Sequence, residues 1–74
     1  MFIRLKTSIS VPCFNGHSVN VPANTPVNYG SERIGEFMRH WFHVPISRIV
    51  DCNVQYETAT YTETLPIKAI PEWL

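Results

Sequence analysis

Neither sign of charge predominates in this 74-residue chain, where six Lys and Arg face six Asp and Glu for a formal net charge of zero with His neutral. A strong phosphate binder shows a basic excess and an acidic mimic of DNA the reverse, so this balance argues against both. Charged residues of any kind are scarce, 16% of the chain against about 25% in an average domain. The apolar fraction of 45% is ordinary and marks a folded rather than a disordered chain. Long hydrophobic runs are missing too. The longest stretch without Asp, Glu, Lys or Arg, Thr7 to Ser31, is interrupted by Pro12, Pro22 and Pro26, so no segment reads as a membrane span. Arg4 and Lys6 are followed by no apolar run of the kind a secretory signal needs. Two cysteines, Cys13 and Cys52, are too few for the disulfide framework of a secreted miniprotein. The expectation is a cytoplasmic protein with reduced thiols, one bridge between the two being the alternative. Length admits one small domain, residues 1–74, with a marginal core, and it excludes most self-contained enzyme folds.

Alternation supplies the first element. Ile3, Leu5, Ile9, Val11 and Cys13 occupy odd positions and Arg4, Lys6, Ser8 and Ser10 even ones, the period of a half-buried strand. Asn15-Gly16 marks a hairpin, but a two-residue loop would put Val19 and Val21 on the wrong face. A three-residue loop, Phe14-Asn15-Gly16, pairs Cys13 with His17, Val11 with Val19 and Ile9 with Val21, all apolar pairs sharing one face. Pro22 to Gly30 reads as a loop of turn formers.

A helix is expected next, capped at Ser31 and ended by Pro45. Ile34, Phe37, Met38, Trp41 and Phe42 then form one apolar stripe at about 100 degrees per residue, with Glu32, Glu36, Arg39, His40 and His43 opposite. Gly35 sits at the stripe's margin, tolerable where a helix approaches a strand. Val50, Cys52, Val54 and Tyr56 alternate with polar residues, a second strand pattern. The run from Ser47 to Leu65 would extend about 60 Å at about 3.3 Å per residue, far more than a compact domain with a radius of gyration near 11 Å allows. A turn around Glu57 to Thr60 is therefore expected. The sequence thus predicts an α+β fold in the order β-β-α-β-β, about four antiparallel strands packed on one α-helix. The tail from Pro66, with Ile67, Ile70, Trp73 and Leu74, is too apolar to be solvated and is expected to dock on this domain or on a partner.

Cys13, His17, His40, His43 and Cys52 are zinc-ligand types, but the strand phases aim both cysteines inward while the helix phase turns His40 and His43 outward. No metal or other cofactor is expected. Cys13 opposite His17 would suit a nucleophile, yet no orienting group or oxyanion donor accompanies the pair, and no nucleotide or zinc-protease motif occurs. The chain reads as non-enzymatic. Arg39, His43 and Arg48 form a candidate nucleic-acid patch, weakened because Trp41 belongs to the buried stripe and offers no stacking platform. Thr58, Thr60, Thr62 and Thr64 line one strand face, for which β propensity suffices.

The least ordinary feature is the uncharged region from Thr7 to Ser31. Its Asn15, His17, Asn20, Asn24, Asn28 and Tyr29 are neutral hydrogen-bonding groups of the kind recognition surfaces use. Trp73 and Leu74 form a second candidate contact or, equally, close the core. The expected function is a small protein-binding module, a stoichiometric inhibitor or modulator of a larger intracellular protein, as phage-type anti-defence proteins are. The alternatives are an obligate homodimer and, third, a weak nucleic-acid binder.

Overall fold

The computed structural model describes residues 1–12, 18–45 and 58–74. Six strands run through them: β1 (Phe2–Arg4), β2 (Ile9–Pro12), β3 (Ser18–Val21), β4 (Pro26–Ile34), β5 (Phe37–Pro45) and β6 (Thr58–Pro66). They form two antiparallel sheets, one of four strands in the order β1-β4-β5-β6 and one the β2-β3 hairpin. The described residues contain no helix. This all-β architecture corrects the α+β expectation, and the segment expected to be helical is the end of β4, a tight turn and β5.

The physical reason lies in how two periods overlap. Ile34, Phe37, Met38, Trp41 and Phe42 satisfy a helical stripe, but on an extended chain they divide between two faces, both of which this sheet furnishes with apolar side chains. Met38, Phe42 and Val44 point inward with His40, while Phe37, Trp41 and His43 point outward. Phe, Trp and Val also favour the pleated surface over the helix. Gly35 decides between the two. With Ile34 paired to Phe37, Gly35 and Glu36 make a two-residue turn, and Gly35 has φ +60°, the left-handed value that the first central position of a type II′ turn requires. Ser31 is a mid-strand residue rather than a cap, and Pro45 ends β5 rather than a helix.

The β2-β3 hairpin has the register the hydrophobic pattern dictates. Ile9 pairs with Val21 and Val11 with Val19; Cys13 and His17, the next pair, lie outside the described residues. Upstream, the single strand expected from Ile3 to Cys13 divides at Leu5–Ser8 into β1 and β2, which belong to different sheets. Leu5 N–H donates to the Thr25 carbonyl at 3.1 Å and Lys6 N–H to that of Trp73 at 2.8 Å, so the break satisfies its backbone groups outside any ladder. The loop expected over Pro22–Gly30 shrinks to a turn around Ala23 and Asn24, Asn24 at φ 70°, before β4 begins. Thr58–Thr60, where a reversal was expected, belong to β6, and the strand expected over Val50–Tyr56 lies outside the described residues.

The hairpin and the C-terminal tail pack on the inner face of the large sheet. Leu5, Val11, Val21, Val27, Phe42, Val44, Ala59 and Trp73 are buried together. Trp73 is the keystone of this core, its ring edge-on to Phe42 at 5.1 Å, to Tyr29 at 5.9 Å and to Tyr61 at 6.2 Å. At 1% exposure it takes the core-closing role of the two expected for it. Aromatic edge-to-face pairs contribute about 0.5–1.5 kcal/mol each beyond area burial, which matters in a chain with so little core.

Candidate functional site

Residues opposite one another in an antiparallel ladder share a face, so the registers define the outer surface of the large sheet without ambiguity. Phe2 stands beside Asn28, Asn28 beside His43, and His43 beside Thr60. The next row is Gly30, Trp41 and Thr62, followed by Glu32, Arg39 and Thr64, then Ile34, Phe37 and Pro66. No described residue packs over this face. Phe2 is 72% exposed, Phe37 49% and Ile34 41%.

Trp41 is the centre of that surface, half-buried because its indole lies across β4. A Cβ added to Gly30 would overlap Trp41 Cζ2 and stand 2.6 Å from its Cε2. The ring therefore occupies the space above the Gly30 backbone and turns its other side outward. Around it the polar groups are already engaged with each other: Arg39 Nη1 donates to Glu32 Oε1 at 3.0 Å, and His43 Nδ1 shares a hydrogen bond with Thr60 Oγ1 at 2.8 Å. The result is an aromatic and threonine-rich face with its one ion pair internally compensated.

The inner face carries a second cluster. Ser31, His40 and Glu63 are in register across three strands. The Tyr29 hydroxyl and His40 Nδ1 share a 2.7 Å hydrogen bond, their rings stacked at 6.0 Å, while the buried His40 Nε2 has no hydrogen-bond partner among the described residues. Trp73 Nε1–H donates to Glu63 Oε2 at 3.0 Å. Burial, reinforced by the negative charge of Glu63, raises the Tyr61 phenol above its ordinary pKa. Beside these groups, β6 and the tail enclose an open cleft of about 410 Å³ walled by Tyr61, Glu63, Leu65, Ile70 and Trp73. His40 is not among its lining residues, so the buried base and the cleft do not meet in one reaction site. Among the described residues no three His, Cys, Asp or Glu converge as a metal site, and no helix is long and apolar enough to cross a membrane.

The residues singled out from sequence disperse. Asn20 is exposed on the outward side of β3, Asn24 occupies the Pro22–Thr25 turn, and Asn28 lies on the outer sheet face, where its Oδ1 accepts from the Met1 amino group. Tyr29 points inward to His40, and Leu74 packs half-buried against the core beside Trp73. Of the cationic patch, Arg39 and His43 share the outer face, whereas Arg48, like Asn15, His17, Cys13 and Cys52, lies outside the described residues. Sequence reasoning missed Trp41 and Gly30. The signal was present in Gly30, which makes sense in mid-strand only when a neighbour's large side chain needs its space. The chain matches no protein-family model, no curated protein and no solved structure.

Proposed function

We propose that this chain is a non-enzymatic protein-recognition module whose contact surface is the outer face of the four-stranded sheet. The observation that carries the reading is that Phe2, Ile34 and Phe37 are exposed on the same face as the partly buried Trp41. Aromatic residues are enriched in interface cores, and large apolar side chains exposed on one sheet face, here flanking an ion pair that is already compensated, mark an interaction site. The paired state of Arg39 and the zero net charge speak for a neutral partner surface rather than a phosphate backbone. Trp41 does gain the outward ring face that a nucleic-acid reading lacked, so that reading keeps a specific basis as the second choice. The setting proposed is the cytosol, where so cysteine-poor a small protein suits a reducing compartment.

The test compares the wild-type chain with Thr62→Glu, a charge placed next to Trp41 on an exposed position. Two tagged forms of each are co-expressed in a host lysate, recovered with and without nuclease, and every stoichiometric protein, including the second tagged copy, is quantified. Loss of a nuclease-resistant protein partner in the variant supports the reading. A partner set unchanged by the variant, or one that disappears with nuclease, overturns it.

A further inference from the structure

We infer that the partner for the outer face is a second copy of this chain, the two sheets meeting face to face about a two-fold axis that passes over Trp41; this rests on reading that face as a protein-recognition surface. Two indoles lying flat, each on its own backbone, need about 10–11 Å between the backbones at van der Waals gaps of about 3.5 Å. That is the separation of about 10 Å at which sheets pack face to face. Trp41 seated on Gly30 therefore suits an opposing layer of the same construction, in the offset stack that aromatic rings prefer.

The three long strands are also centred on one row. A two-fold axis lying along the Gly30, Trp41 and Thr62 row reverses the strands of the second copy, so each residue of β4, β5 and β6 faces one equally far on the other side of the row, while Phe2 on β1, which lies wholly to one side, has no counterpart. Arg39 then faces His43 of the other copy rather than a second arginine, and Glu32 faces Asn28 rather than a second carboxylate. Phe37 faces Pro45, apolar on apolar. Thr62, on the axis row, faces itself. No like charges of the ladder oppose one another in this arrangement, and the crossing of about 30° that sheet twist imposes displaces the ends more than the central row.

Three strands of nine residues, with a rise of about 3.3 Å and a spacing of about 4.8 Å, make an opposed face of roughly 430 Å². Two copies would bury roughly 860 Å² in total, the size of a weak, transient interface. The association is therefore one that dissociates on dilution, and the chain folds without it.

Sedimentation of the purified protein from about 1 μM to about 1 mM tests this. The expected result is a mass that rises with concentration from 8.5 kDa towards twice that value. Thr62→Glu and Thr62→Lys, each alone, should remain monomeric because like charges meet on the axis, and an equimolar mixture of the two should dimerise again. A wild-type chain that stays monomeric throughout, or a Thr62→Glu variant that dimerises like the wild type, overturns the inference. A monomer that still captures a different, Thr62→Glu-sensitive protein would overturn the second copy while leaving the recognition surface standing.

Discussion

The indole of Trp41 fills the space that a side chain at position 30 would need, and Gly30 is the seat that lets it lie down on the sheet. Gly30→Val supplies a better strand former while destroying the seat. The conflict should destabilise the fold by about 1–3 kcal/mol through overpacking, read as a lower urea midpoint with a red shift of tryptophan emission. A midpoint at or above the wild-type value would mean that the ring lifts off at no cost.

Gly35 tests the turn independently of packing. A Cβ there meets nothing within 4 Å, so any loss on substitution comes from the backbone at φ +60°. Gly35→Ala should cost about 1–2 kcal/mol, the penalty of the left-handed region for an L residue, and Gly35→Asn less. Equal midpoints for the glycine and alanine forms would contradict the turn assigned here.

Tyr29 and His40 should behave as a unit. Tyr29→Phe removes the partner of His40 Nδ1 and leaves a buried imidazole with neither nitrogen bonded among the described residues, at a cost of about 1–3 kcal/mol for the unsatisfied group. Adding His40→Leu should return part of that loss, because an apolar pair leaves nothing polar unsatisfied. Urea midpoints of the four proteins give the coupling, and strict additivity would refute it.

Stability at alkaline pH should report Tyr61. Its phenol is held un-ionised by burial and by Glu63, so the folded chain keeps that proton more tightly than the unfolded chain. The sign follows directly: the contribution is complete below the unfolded value near pH 10 and is lost as pH rises through the folded value. Thermal melting should show a steeper alkaline fall for the wild type than for Tyr61→Phe, and identical alkaline profiles would exclude the effect.

The β2-β3 register was legible because one face of that hairpin is buried, and a buried face forbids the alternatives: only one pairing puts Val11, Val19, Ile9 and Val21 together. The segment from Ser31 to Pro45 was not legible for the opposite reason. β5 bears apolar side chains on both faces, Phe37 and Trp41 outward and Met38, Phe42 and Val44 inward, so a period of two is hidden and a helical spacing emerges. Placing that stripe in a core also hid Trp41 as a surface residue, and with it the candidate site. Trp73 was identified as too apolar to be free, but its union with Glu63 and three other aromatics depends on a tail docking that no local pattern encodes.

The hydrogen bond from Lys6 N–H to the Trp73 carbonyl has a kinetic meaning. β4 and β5 are joined by a two-residue turn and β6 pairs with β5, so this meander needs only contacts between successive strands. Joining the region between β1 and β2 to the tail draws together chain segments from opposite ends, and the loop-closure entropy of so distant a contact favours its forming after the local ones. The meander should form early and the Lys6–Trp73 clasp late. Weakening the clasp at Trp73 would then hasten unfolding while leaving the refolding rate almost unchanged, which makes the tail the latch that sets how long a folded molecule lasts.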